Sequence, residues 1–288
     1  MNIKKYITTH GTSYYLASLF FPKTIKQQVF LLYAFVRVAD DIVDNEQEDQ
    51  CEKIQILIDR TQNIFSQTPD TTSTPHDPII LPFVELCKNK QIEQEWVETF
   101  LAAMKSDCEW IDYTHYEQLQ TYMVGSAEVV GLMMCQIIWY PIQDQEKVFY
   151  HARKLGEAMQ YTNFLRDIKE DWMDRQRIYI PQDRLTPFWL DQNDIKKYCE
   201  WTGKIGENWK HFMKNEIWFT KKMYEEANQW IALLHPQGRK AVQWASVLYC
   251  SILDKIASVD YDVFTANVRS SKRENLLLII KKYFHNHH

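Results

Sequence analysis

Two short stretches carry the residues that could do chemistry. In "RVADDIVD" Asp40 and Asp44 lie four apart with Arg37 just ahead, and in "NFLRDIKED" Asn163, Asp167 and Asp171 follow at the same interval beside Arg166. Residues four apart share one face of an α-helix, so each stretch stacks oxygen donors in a row. Like charges at that spacing repel by a few tenths of a kcal/mol on a surface and by more once partly buried, so something should offset them. A solvated acidic face is one explanation, but both rows grow out of largely apolar segments, "VFLLYAFVRVA" and "LGEAMQYTNFL". Internal pairing, Arg37 with Asp40 and Arg166 with Asp167 or Glu170, is a second. A third is a hard-cation site: carboxylate and amide oxygens without neighbouring His or Cys suit Mg²⁺, which is held together with substrate phosphates. The arginines would then bind phosphate oxygens.

Helices must position these rows. The chain has 288 residues, 45% of them hydrophobic, with only 7 Gly and 9 Pro, which favours an all-α fold over a many-stranded one. Apolar residues recur at helical spacing from Ile25 to Ile64, broken by the acidic patch at 44–50. Further helices are expected over 83–105, 107–124, 127–139, 144–175, 206–234 and 237–266, with a proline-rich loop at 69–82 and breaks at 141–142 and 175–187. Between the rows lies "YMVGSAEVVGLMMCQIIW", with Gly125 and Gly131, and Gly156 follows in the next helix. Helical glycine costs up to about 1 kcal/mol relative to alanine, so these mark either tight helix packing or the wall of a smooth apolar channel.

Several classes are excluded. A net charge of −5 leaves no basic stripe for nucleic acid. Six scattered cysteines without a CxxC pair give neither a zinc finger nor a disulfide framework, and reduced, cytoplasmic thiols are expected. No segment reaches about 18 uninterrupted apolar residues, so a membrane-spanning helix is not expected. The basic amphipathic tail "RSSKRENLLLIIKKYFHNHH" reads as a packed terminal helix or a peripheral contact with an anionic membrane.

Together, Arg37 with "DDIVD", "YMVGSAEVVG" at 122–131 and "LGEAMQYTNFLRDIKEDWMDRQRIYIP" at 155–181 resemble the squalene/phytoene synthase family, the head-to-head prenyl synthases. The likeness runs from "HGTSYYLASLFFP" at 10–22 to "YDVF" at 261–264 and looks nearest to the bacterial phytoene and dehydrosqualene synthases. It implies one isoprenoid-synthase helical domain over 1–288, built around a central cavity, and a Mg²⁺-dependent prenyltransferase. Asp40, Asp44, Asn163, Asp167 and Asp171 would be metal ligands. Ser13, Arg37, Tyr122, Gln160, Arg166 and Tyr249 would meet substrate, and Tyr122 would join the metal-holding residues in catalysis. The sequence departs from the family pattern at Val124, Glu128, Ala266 and Asn267, where Arg269, Lys272 or Arg273 could replace arginines otherwise found after "YDVF".

The implied reaction joins two prenyl diphosphates, with phytoene from geranylgeranyl diphosphate the first expectation. Dehydrosqualene or squalene from farnesyl diphosphate is the alternative, squalene requiring NADPH as well. A head-to-tail elongator or terpene cyclase would keep the metal chemistry, and a non-catalytic helical binding protein would need only the ion pairs. An apolar product points to peripheral contact at the cytoplasmic membrane face and a downstream desaturase as partner. Tyr14, Leu16, Phe20, Met123, Ala127 and Met159 are the candidates for closing the cavity.

Overall fold

The computed structural model describes residues 12–44, 49–66, 76–108, 112–200, 204–269 and 271–285, with the side chains of 12–14, 272 and 280–285 outside that set. The helices are α1 (Thr12–Ser18), α2 (Lys23–Asp44), α3 (Gln50–Ser66), α4 (Asp77–Lys90), α5 (Gln94–Ser106), α6 (Tyr116–Met123) and α7 (Val129–Ile138). They continue as α8 (Gln145–Arg175), α9 (Gln182–Leu185), α10 (Gln192–Glu200), α11 (Glu207–Ala227), α12 (Pro236–Ser258) and α13 (Lys272–His285). No strand occurs among the described residues, so the fold is all-α.

Each long helix buries one apolar stripe. On α2 this is Val29, Leu32, Phe35, Val38 and Ala39, and Phe35 stacks on Phe83 of α4 with ring centroids 3.9 Å apart. Helix α8 is the axle: α7, α11 and α12 all pack on it, and Ala158, Tyr161 and Leu165 are buried within one large core.

Several expected boundaries move. The 83–105 span is two helices, because Gln91 takes a left-handed conformation that ends α4. Helix α4 already starts at Asp77 inside the expected proline-rich loop, and it accommodates Pro82. The 107–124 helix begins only at Tyr116, and α12 stops at Ser258, short of 266. Much of the acidic patch at 44–50, residues 67–75 of the proline-rich loop and the side chains of Ser13, Tyr14 and Lys272 lie outside the described set.

Tyr116–Ile138 forms one 23-residue helical run long and apolar enough to cross a membrane, but half of its most apolar window is buried inside the protein. A π-turn at Val124–Glu128 joins α6 to α7 within this run. The glycines there serve close helix crossings. A Cβ at Gly125 would lie 2.6 Å from the Ala103 Cβ of α5, one at Gly131 would lie 2.5 Å from the Ala152 carbonyl oxygen of α8, and one at Gly156 would lie 2.6 Å from the Ala127 carbonyl oxygen. The last two obstacles are backbone, which cannot rotate away. Gly156→Val is therefore expected to lower the melting temperature by about 5 °C, as overpacking of about 1–3 kcal/mol does in a chain of this size, measurable by circular dichroism.

Candidate active site

The two acidic rows meet across a central cavity of about 630 Å³, within the range of ligand pockets. Asp40, Asp44, Asn163, Asp167 and Asp171 all line it, as do Arg37, Tyr122, Gln160, Arg166 and Tyr249. Of the expected metal-holding and substrate-meeting residues, only the Ser13 side chain falls outside the described set.

Asp44 ends α2 with Asp40 one turn before it, and Asp171 lies one turn before the end of α8. A helix C-terminus carries a partial negative charge, so these acids add to an unfavourable field instead of compensating it. Two helix ends and four aspartates thus converge on one region. Part of that charge is met internally. Arg175 bridges the rows, with Nε 3.0 Å from Asp44 Oδ1 and Nη1 2.9 Å from Asp171 Oδ1. Arg166 pairs with Asp167, and Arg269 reaches Glu170 and approaches Asp167 at 3.7 Å.

Arg37 behaves differently from the expected Arg37–Asp40 pair: its Nη2 lies 2.7 Å from Asp41 Oδ1, while Asp40 stays 3.9 Å away. Asp41 sits four residues on from Arg37, the spacing that favours a helical ion pair. Asp40 is left less compensated, and burial together with Asp44 pushes its carboxyl up to about 7. Burial and Asp167 likewise push Asp171 well above the usual carboxylate range, against the pull of Arg175. The Oδ1 of Asn163 is buried and accepts no hydrogen bond, while its Nδ2 donates to Gln160 Oε1 at 3.3 Å. An orphaned amide oxygen beside crowded carboxylates is a donor set that fits a hard divalent cation such as Mg²⁺. A separate trio, His115, Glu117 and Asp183, is largely exposed and lies off the cavity.

Asp107 and Arg175 are the charged cavity residues that sequence reasoning passed over. Arg175 had a signal, since it extends the four-residue row Asn163, Asp167, Asp171 by one more step. Asp107 had none. It follows α5, and only tertiary packing brings it to the Tyr122 hydroxyl, which donates to its Oδ2 at 2.9 Å. Arg177 closes the group, with Nη2 donating to the Asp107 carbonyl at 2.7 Å. Burial pushes the Asp107 carboxyl up to about 6 in spite of Arg177 and Tyr122. A carboxyl raised on folding stabilises the protein fully below its unfolded value near 4, and that contribution fades as pH rises through about 6. Asp40 and Asp41 titrate in the same sense, so the test is a comparison: wild type is expected to lose a few degrees more of melting temperature between about pH 5 and pH 7.5 than Asp107→Asn does.

Away from the acids the cavity is apolar, walled by Phe21, Val36, Met134, Ile138, Leu155, Val242 and the small residues Ala127, Gly131, Ala152, Gly156, Ala241 and Ala245. Of the residues expected to close it, Ala127 and Met159 line it, whereas Met123 is fully buried elsewhere in the core and Leu16 and Phe20 sit outside the lining. Glu128 also lies off the cavity, with Lys154 and Glu157 among the charges around it, and Val124 is exposed. Ala266 and Asn267 border a neighbouring recess of about 350 Å³ together with Arg269. Among the described side chains of the basic residues that could stand in for arginines there, Arg269 reaches the acids Glu170 and Asp167. Arg273 is exposed on α13.

A family model described as squalene/phytoene synthase matches residues 7–274. The chain belongs to the squalene/phytoene synthase family. Members of this family are generally dependent on divalent metal. Curated relatives include phytoene synthase from Arthrospira platensis, 28% identical over 267 residues, which covers 88% of this chain and 82% of the relative. The chloroplastic phytoene synthase of an Oncidium hybrid cultivar is 28% identical over 95% of this chain, which spans 65% of that relative's length. Among solved structures, a dehydrosqualene synthase in complex with ligand superposes with a TM-score of 0.84 at 24% identity, covering 99% of this chain and 95% of the other. A squalene synthase from Alicyclobacillus acidocaldarius gives a TM-score of 0.76 at 19% identity, over 90% and 93% of the two chains. These likenesses show the isoprenoid-synthase fold common to the family.

Proposed function

We propose that the chain is a prenyltransferase that condenses two molecules of geranylgeranyl diphosphate head to head to phytoene, with residues 1–288 acting as one synthase domain. The observation that carries this reading is the cavity's division into one end crowded with facing acids and arginines and a remainder walled by apolar and small side chains. A diphosphate needs the first, and a prenyl tail with a developing cation needs the second.

Asp40, Asp44, Asn163, Asp167 and Asp171 would hold Mg²⁺, which neutralises charge building on a departing diphosphate when bound. Arg37 and Arg166 would take diphosphate oxygens in place of their present carboxylate partners, assisted by Tyr249 and by the Tyr122 hydroxyl that Asp107 orients. Departure of diphosphate leaves an allylic cation, which the second substrate's double bond attacks, and loss of a proton from the carbocation so formed closes the ring to give a cyclopropylcarbinyl diphosphate. A second ionisation, rearrangement and loss of a proton yield the hydrocarbon. Val36, Met134, Leu155 and Phe164 would keep water from the cation, and the ring faces of Phe164, Tyr179 and Trp230 would stabilise it. The product's apolarity supports a peripheral site of action at a membrane, with the basic C-terminal tail as one contact and a desaturase as the consuming enzyme.

The test supplies geranylgeranyl or farnesyl diphosphate with Mg²⁺ and identifies the hydrocarbon formed. Phytoene from geranylgeranyl diphosphate is the expected result. Dehydrosqualene from farnesyl diphosphate alone, or squalene on addition of NADPH, would reassign the substrate, and no hydrocarbon from either with the fold intact would overturn the reading.

A further inference from the structure

Helix α1 is a thin wall. Its Ala17, Ser18 and Phe21, the last just beyond its end, line the cavity, and so does Ala245 of α12. On the other side, Ala17 and Ala245 belong to a small apolar cluster with Leu16, Trp244, Leu248, Leu278 and Ile279, separate from the main core. Phe20 stacks on Trp244 with ring centroids 5.8 Å apart, and α13 packs on both α1 and α12. Outside this cluster large apolar side chains face solvent: Leu19 is 48% exposed, Phe20 38%, Leu276 51% and Leu277 65%. Scattered single apolar residues need no explanation, but several gathered over one cluster mark an interaction surface.

The charges beside them are basic. Lys23 follows the turn after Phe20, Lys240 sits one helical turn before Trp244, and Arg273 precedes Leu276 on α13, all three exposed. The neighbouring acid, Glu274, is held by Lys255 at 3.1 Å. A second copy of the chain would bring one basic rim toward another, whereas an anionic lipid surface complements it. An apolar patch with a cationic border is also the pattern of segments that settle at a bilayer interface.

We propose that the face formed by Leu19, Phe20, Leu276 and Leu277 docks on an anionic lipid bilayer, setting the cavity's apolar side one helix away from the acyl chains. This deepens the synthase reading and rests on it for its purpose, since a hydrocarbon formed in the cavity would then cross only α1 to reach lipid. Binding itself requires no substrate, so the two readings fail separately: an absent hydrocarbon overturns the activity, and absent vesicle binding overturns the docking face.

The experiment is co-sedimentation of the full chain with phosphatidylcholine vesicles with and without phosphatidylglycerol. Wild type is expected to bind the anionic vesicles, and Leu276→Glu/Leu277→Glu to bind them at least about tenfold more weakly while keeping wild-type turnover on detergent-dispersed substrate. Should that variant fail to fold by circular dichroism, Leu276→Ser/Leu277→Ser with Leu19→Ser is read the same way. Wild type that ignores anionic vesicles, or folded variants that bind them as well as wild type, overturns the proposal. A wild-type dimer by analytical ultracentrifugation that the same substitutions dissolve also overturns it, by assigning the face to a second copy.

Discussion

Replacing Asp40 with asparagine is expected to leave the metal-free protein as stable as before, or more so, while lowering turnover by about 10³-fold. The two effects have opposite signs because the carboxylate is poorly compensated. Its nearest guanidinium nitrogen, Nη1 of Arg37, is 3.9 Å away while Nη2 of the same group engages Asp41, and Asp44 raises the cost of ionising it. Asparagine removes a repulsive charge with little change of volume. It also removes a hard anionic donor at the point where diphosphate charge must be neutralised, and losing one such electrostatic contact costs about 10²–10³ in rate in other enzymes. Asp41→Asn is the control. Asp41 pairs with Arg37 but lies off the cavity lining, so less than about a tenfold loss is expected. The measurements are hydrocarbon formation with Mg²⁺ and melting temperature with and without Mg²⁺ plus inorganic diphosphate. Full activity in Asp40→Asn would remove the acidic row from the mechanism.

Glu216→Ala is expected to be the most destabilising single change, lowering the melting temperature by about 10 °C. Glu216 on α11 is completely buried and receives Arg184 at 2.8 Å and the hydroxyl of Tyr161. The Arg184 guanidinium is packed over the Phe219 ring, 4.5 Å from its centroid, and cannot swing out to water cheaply. Removing one partner of a buried pair leaves the other unpaired, at a cost of about 3–5 kcal/mol. Each kcal/mol moves the melting temperature by roughly 2–4 °C in a chain of this size. Tyr161 adjoins Gln160 on α8, so the same network sets the rotation of the helix that carries Asn163 and Asp167. Glu216→Gln, which keeps the shape and one acceptor, is expected to lose less than half as much. Equal loss in both variants, read by thermal unfolding, would show that charge and not hydrogen bonding holds this joint.

How far the site was legible depends on whether a contact is local. Asp40 with Asp44, and Asn163 with Asp167 and Asp171, share helix faces by spacing alone, and all five line the cavity. The preference of Arg37 for Asp41 over Asp40 turned on a rotamer, although its i,i+4 spacing was visible. Arg175 continued a readable row but bonds to Asp44, 131 positions earlier, so its role depends on how α2 and α8 cross. Asp107 sits in a loop where a helix was expected, and nothing near it in the chain points to Tyr122.

The sequence by itself determined that the chain is helical, that it carries two rows of hard oxygen donors with arginines, and which family those rows resemble. These follow from apolar periodicity and four-residue spacing, properties of a helix before it packs. Only the tertiary structure decided that both rows end at helix C-termini facing one cavity, and that Gly131 and Gly156 serve helix crossings while also lining that cavity. It alone revealed the buried Asp107–Tyr122 contact and the apolar face one helix from the cavity. The physical reason is that charge crowding, burial and wall thickness depend on distances between helices, which chain-local spacing does not encode.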